Sequence, residues 1–420
     1  MSMSSNIEAE DGNFSVFKKN IFTNSFWVSF RYVVIAVIGL AVSVAFAHLA
    51  TKETFGQYQF ILSIVAIFYV FSLTGLNIAA LKSVSQGKSG SVSKAVRLSF
   101  LGSVFAIPFL VGYGIYILTV GNYSASVGWA FVLLGLLFPF LYASNTWYVH
   151  YEGRLLFRPV AIRTIASSAV TAILLFVGLW NHMSVFWLSV IWFFSTALFS
   201  WFFYWEVLRE EKKFVQGKDE LDVRYGLWVS FQKFVVSLTE NIPTLAISFF
   251  IGFEAVANFQ IASVFVGAVS GLLGALTAMA LPVIFSNIEQ THRGLLFYNV
   301  LSGALASFGY FILVEVLFLA VYGERYRESF ELARLLVILP FLVSLRMFFV
   351  NIFTAKGKNT FIVSVYVVAN ILSMILFIVM FKTAPFVWSA GAYLYSINLL
   401  LLIPLAFAYF FNASKKTDSI

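Results

Sequence analysis

The sequence predicts an all-α integral membrane protein, with about twelve transmembrane helices forming two pseudo-symmetric six-helix lobes around a central cavity. Three observations predict it. Of 420 residues, 60% are hydrophobic, only 11% are charged and 49 are Phe, which is more apolar surface than one soluble core can bury, so lipid must act as solvent. Twelve segments approach or exceed the roughly 20 apolar residues that a helix needs to cross a hydrocarbon core of about 30 Å. The chain also repeats itself. Trp27-Val28-Ser29-Phe30 recurs as Trp228-Val229-Ser230-Phe231, an offset of 201. The same offset carries Phe55-Gly56-Gln57-Tyr58-Gln59-Phe60 onto Val256-Ala257-Asn258-Phe259-Gln260-Ile261, and Pro139-Phe140-Leu141 onto Pro340-Phe341-Leu342. Duplicated apolar chains of this kind are a common construction for secondary transporters, with the substrate site between the halves.

In order, the first half holds spans at Phe26 to Leu49, Phe60 to Leu81, Val96 to Val120, Val127 to Val149, Val160 to Trp180 and Val185 to Trp205. The second half holds Leu227 to Ile251, Val256 to Phe285, Phe297 to Val321, Leu332 to Phe353, Phe361 to Phe381 and Phe386 to Phe411. With the N-terminus inside, 19 of the 27 Lys and Arg fall in cytoplasmic segments, whereas Lys52, Arg325, Arg327 and Lys382 are the four in outer loops. That bias places both termini in the cytoplasm. It also accounts for the net charge of +8 as a topology signal and not as a nucleic-acid-binding surface. Six spans per half is an even number, so the repeat is parallel, about an axis along the membrane normal. The lobes are expected at 1–205 and 225–420, joined by a polar cytoplasmic linker at 206–224.

Much chemistry is excluded at this stage. No outer loop is long enough for a soluble active site, and no cysteine is present for thiol chemistry. The polar first 22 residues lack the apolar core of a cleaved signal, so the first span is expected to be an uncleaved anchor. Gly87-Lys88-Ser89 has Lys82 where a phosphate-binding loop requires its first glycine. His48, His150, His182 and His292 lack metal-ligand spacing, and Asp11, Asp219, Asp222 and Asp418 all lie in the tails or linker. No metal or organic cofactor is expected. Gly267 and Gly271 have the spacing of a close helix-packing motif.

Charges inside the spans are the functional candidates, because each costs roughly 2.5 to 3.5 kcal/mol at a helix centre unless it faces a cavity or a partner. Glu240 lies midway along the seventh span, in Thr239-Glu240-Asn241-Ile242-Pro243, where the proline should free a carbonyl and create a polar notch. Arg346 is the deepest cation. Arg31 and Lys233 lie closer to an interface, so a lumenal role and snorkelling both remain open for them. Lys233 shares a helix face with Glu240, seven residues on. Glu315 lies near the outer end of the ninth span. At the 201-residue offset Glu240, Arg346 and Glu315 correspond to Gly39, Asn145 and Gly114, so the repeat itself does not require those charges. Arg31, Lys233 and Arg346 would make a cationic cavity suited to a diphosphate, and Glu240 or Glu315 could carry a coupling ion. The competing reading of each is a structural ion pair.

Leu49-Ala50-Thr51-Lys52-Glu53-Thr54-Phe55-Gly56-Gln57-Tyr58, followed by Leu73-Thr74-Gly75-Leu76, resembles the first two spans of the Wzx polysaccharide-repeat-unit flippases, members of the multidrug/oligosaccharidyl-lipid/polysaccharide exporter superfamily. Val321-Tyr322-Gly323-Glu324-Arg325-Tyr326 and Ala355-Lys356-Gly357-Lys358 extend the likeness. The resemblance implies a flippase in the bacterial cytoplasmic (inner) membrane. Its cargo would be undecaprenyl-diphosphate-linked oligosaccharide, moved from inner to outer leaflet for O-antigen or another surface polymer. It further implies alternating access driven by H+ or Na+, and work beside a polysaccharide polymerase and a chain-length regulator. In the family, charged lumenal residues handle the diphosphate and the coupling cation, and Arg31, Lys233, Glu240 and Arg346 are the matching positions. Glu240 stands where the family often has Asp. The alternatives are a cation-coupled multidrug exporter of the same superfamily, which should favour acidic cavity residues, and a membrane-embedded polymerase, which should show a long outer loop.

Overall fold

The computed structural model describes residues 4–86, 90–121, 123–211, 221–286, 292–355 and 358–417. Residues 212–220 of the expected linker and the segment 87–89 lie outside them. Among the described residues the only regular structure is helical, and it falls into twelve crossings in chain order. The first is α1 (Ser4–Leu49). The second is α2 (Lys52–Phe68), a 3-10 turn (Tyr69–Ser72) and α3 (Leu76–Ser85). The third is α4 (Ser91–Val104) with α5 (Ile107–Val120). The fourth is α6 (Ala125–Tyr142), a 3-10 turn (Ala143–Thr146) and α7 (Trp147–Glu152). Then come α8 (Phe157–Trp180) and α9 (Val185–Glu211). The second half comprises α10 (Val223–Phe250), α11 (Phe253–Ser286), α12 (His292–Tyr322), α13 (Arg327–Leu335) with α14 (Leu339–Ala355), α15 (Asn359–Thr383) and α16 (Phe386–Thr417).

Ten of these crossings are long and apolar enough to span a membrane unaided, and α13 with α14, bent by 50°, makes an eleventh. The twelfth, α10, has the length at 28 residues but carries Arg224, Lys233 and Glu240 among Ser, Thr, Gln and Asn. This is a multi-pass membrane protein. Large apolar side chains such as Phe105 and Phe407, 68% and 69% exposed, cover its outside, as lipid-facing residues should.

Helix starts repeat at the offset read from the sequence. The α2 and α11 helices begin at Lys52 and Phe253, and α9 and α16 begin at Val185 and Phe386, each pair 201 apart. Four crossings are nevertheless segmented where the sequence reads as continuous apolar runs. After α2, Leu73 takes φ 47°, a left-handed conformation that ends the helix. Pro108 opens α5, where its missing N–H costs nothing, while Pro139 lies near the end of α6 and Pro340 beside the bend before α14. By contrast α10 continues through Pro243, so the ring leaves the Thr239 carbonyl without its helical donor.

The lobes meet where α2 and α3 of the first half pack on α10 and α11 of the second. Glycine permits both crossings. A Cβ on Gly56 would lie 1.9 Å from the Phe253 carbonyl oxygen, and one on Gly75 would lie 2.2 Å from both the Gly226 oxygen and the Ser230 nitrogen. Near Gly75 the break after α2 is tied to α10. The Gly75 N–H donates to Ser230 Oγ (2.9 Å), and Lys233 Nζ donates to the Thr74 carbonyl (3.3 Å). Toward the opposite face, Ser43 Oγ and Tyr322 Oη lie 2.6 Å apart, and Arg325 donates to the Ala50 carbonyl (3.2 Å).

Candidate functional site

The N-terminal lobe encloses a cavity of about 760 Å³ between α1, α2, α7, α8 and α9. Among the described residues its one ion pair joins Arg31 of α1 to Glu152 of α7. Arg31 Nη1 lies 2.9 Å from Glu152 Oε1, and both side chains are 17% exposed. Arg31 belongs to this lumen, as a cavity-facing reading of its position requires, but it is already engaged. Glu152 was not singled out by the sequence because it follows the fourth apolar run, in the polar stretch Tyr151-Glu152-Gly153-Arg154.

The walls are polar without charge. Gln59, Asn145, Thr164, Ser168, Thr196 and Ser200 line the cavity, and none makes a side-chain hydrogen bond within the described protein, so their donors and acceptors are available to a ligand. Tyr32, Tyr58, Trp147, Tyr148 and Trp192 add aromatic surface to the same walls. Asn145 and Gly39, the symmetry counterparts of Arg346 and Glu240, are both cavity-lining.

In the C-terminal lobe, Glu240 is exposed on a face of α10 where Val229, Pro243, Thr244 and Ile247 are buried and Lys233, Val236 and Ser237 partly buried. The lipid-facing side of the helix lies opposite, marked by Leu227, Phe231 and Phe249. Glu240 therefore looks into an interior recess. Among the described residues no hydrogen bond or ion pair satisfies it. Arg346 Nε is itself buried without a partner. Glu240 of α10 and Arg346 of α14 are thus two charges within the spans that have no ion-pair partner among the described residues.

Lys233 points elsewhere, its ammonium bound to the Thr74 carbonyl at the crossing of the lobes. Glu315 is paired with Arg334 of α13, and its counterpart Gly114 is packed against α6 and lies outside the cavity. The expectation of close packing at Gly267 and Gly271 is corrected. Nothing lies within 4 Å of a Cβ on either. They instead border an opening of about 300 Å³ between α11 and α1, which shares Tyr32, Ile35 and Gly39 with the large cavity. Small side chains here leave space between the lobes. Among the described residues no group of three His, Cys, Asp or Glu is placed to hold a metal, and Asp222 is occupied in capping α10, accepting from the Tyr225 N–H (3.0 Å).

The family described as polysaccharide biosynthesis protein matches residues 21–288. No curated protein matches the chain. Among solved structures, a mutant of the Vibrio cholerae MATE transporter VcmN aligns over 97% of this chain and 98% of its own, at 12% identity and a TM-score of 0.64. An inward-facing multidrug resistance MATE family transporter of the MOP superfamily aligns over 91% and 95%, at 13% identity and 0.63. A MATE protein in its straight conformation aligns over 96% of each chain, at 13% identity and 0.66. At such identities the likeness establishes the fold: two six-helix lobes in one membrane protein.

Proposed function

The chain belongs to the polysaccharide biosynthesis protein family, and we propose that it is a flippase carrying undecaprenyl-diphosphate-linked oligosaccharide repeat units from the inner to the outer leaflet of a bacterial cytoplasmic membrane. The observation that carries the reading is the N-lobe cavity. It combines a guanidinium at an ion pair, unpartnered hydroxyls and amides, and aromatic faces in one recess, which matches a ligand made of an anion joined to sugars.

Arg31 offers the diphosphate a planar donor fork. Glu152 holds that fork in place while the site is empty, so loading exchanges one anion for another and no bare cation is left in the membrane. Hydroxyl and amide side chains then replace water around the sugar hydroxyls, and the aromatic rings cover the apolar faces of the sugar rings. In the other lobe Glu240 takes up and releases H+ or Na+, and Arg346 biases its ionisation. Lys233 clasps α10 to the break after α2, and rocking of the lobes about the glycine crossings exposes the cavity to each side in turn. Both termini face the cytoplasm in this reading, and a polymerase with its chain-length regulator receives the repeat unit for O-antigen or a related polymer.

The test is reconstitution of the purified chain in vesicles with an undecaprenyl-diphosphate-linked trisaccharide, scoring access of the glycan to an impermeant glycosidase. A proton or sodium gradient should drive translocation. Absence of translocation together with gradient-driven efflux of a lipophilic cation would assign the chain to the exporter class instead.

A further inference from the structure

From the charge inventory of the N-lobe cavity we infer that the transported glycan is uncharged, built of neutral hexoses, deoxyhexoses or N-acetylhexosamines, and that the site discriminates against uronic and other acidic sugars. The inference rests on the flippase reading and adds the substrate class.

Of the residues lining the cavity, Arg31 and Glu152 are the charged ones, and they neutralise each other at 2.9 Å. The connecting opening between α1 and α11 is lined by Tyr32, Ile35, Ala36, Gly39, Val264, Gly267, Ala268 and Gly271 and adds no charge. Cations close to this end of the lobe are committed elsewhere. Arg163 is 2.9 Å from Glu206, Arg154 is 3.0 Å from His150, and Arg158 lies over the Trp27 ring at 5.4 Å. When the diphosphate arrives, it claims Arg31. A carboxylate on the glycan would then enter a space holding hydroxyls, amides and rings but, among the described residues, no free cation, and it would sit beside the displaced Glu152. An unpaired carboxylate leaves water only at a large cost, and a second carboxylate nearby raises it.

Neutral sugars meet the opposite situation. Their hydroxyl and acetamido groups both donate and accept, as do Thr164, Ser168, Thr196 and Ser200, whose side chains have no partner in the described protein. A wall of such groups can satisfy sugar hydrogen bonds in several registers, which suits a repeat unit that must enter and leave. The C-lobe counterparts of Thr196 and Ser200 are Ile397 and Leu401, 3% and 0% exposed in the core, so the hydroxyls are not a packing requirement of this helix.

The probes are two undecaprenyl-diphosphate-linked trisaccharides, identical except that one hexose in the second is the corresponding uronic acid. Initial rates in wild-type vesicles should favour the neutral probe at least tenfold. Ser168→Arg, or Thr196→Arg if the first does not purify as a monodisperse protein, places a cation in the wall and should raise the rate of the acidic probe while lowering that of the neutral one. Equal wild-type rates would overturn the inference and leave the flippase reading standing. Translocation of neither probe would overturn the flippase reading, and the inference with it.

Discussion

The two lobes share a register of 201 residues but treat the same helix positions in opposite ways. In the N-terminal lobe, α9 turns Trp192 and Thr196 toward a cavity that Ser200, though 5% exposed, also borders. In the C-terminal lobe, the equivalent Tyr393, Ile397 and Leu401 of α16 are buried at 1%, 3% and 0% exposure. Charge is divided in the reverse sense. The N-lobe cavity holds a closed ion pair, while in the C-lobe neither Glu240 nor Arg346 has an ion-pair partner among the described residues. The two halves share a scaffold and differ in what it carries: a polar cavity with a closed ion pair in one, and an unpaired carboxylate, Glu240, in the other.

The largest effect expected from breaking this division is at Glu240. Glu240→Gln removes the group able to change charge, and should lower gradient-driven translocation on the order of 100-fold while leaving binding of the lipid-linked trisaccharide to detergent-solubilised protein within twofold of wild type. Next comes Arg31→Gln, which removes a charge-assisted contact of roughly 1.5 to 3 kcal/mol, or about 10- to 100-fold in Kd. Isothermal titration with the same ligand should show that loss, and the residual transport should keep its dependence on the gradient. If each substitution changed both readouts alike, the lobes would not be specialised.

A milder test imports one lobe into the other. Thr196→Ile with Ser200→Leu gives α9 the residues of α16 and partly fills the cavity. Glycan affinity should drop about 3- to 10-fold, equivalent to one or two neutral hydrogen bonds, with thermal stability retained because apolar volume replaces empty space. Smallest of all is Glu315→Gln. Its partnership with half-exposed Arg334 is worth roughly 0 to 1 kcal/mol, so transport should change less than twofold and melting temperature only slightly.

The comparison also explains what the sequence could reveal. Val185 and Phe386 were read as span starts in register because apolar periodicity and turn residues are local properties, whereas the second span, read from Phe60, starts at Lys52. The segmentation at Leu73-Thr74-Gly75 was hidden, since the break depends on α10 supplying Ser230 and Lys233 from 155 to 159 residues away. Glu240 and Arg346 stood out as charges in hydrocarbon. The cavity itself did not, because Ser and Thr are ordinary in membrane helices and nothing in their spacing says whether a hydroxyl turns to its own helix, as Ser195 does toward the Ile191 carbonyl, or to open space, as Thr196 does. Gly267 and Gly271 carry the same lesson. Small-residue spacing permits close packing, yet the neighbouring helix decides whether that space is filled.

The most direct measurement is the leaflet sidedness of lipid-linked repeat units in the host after deletion of the gene. The account predicts complete repeat units accumulating on the cytoplasmic face with surface polymer lost, restored by the wild-type chain but not by Glu240→Gln. Repeat units reaching the outer leaflet at the normal rate in the deletion strain would contradict it.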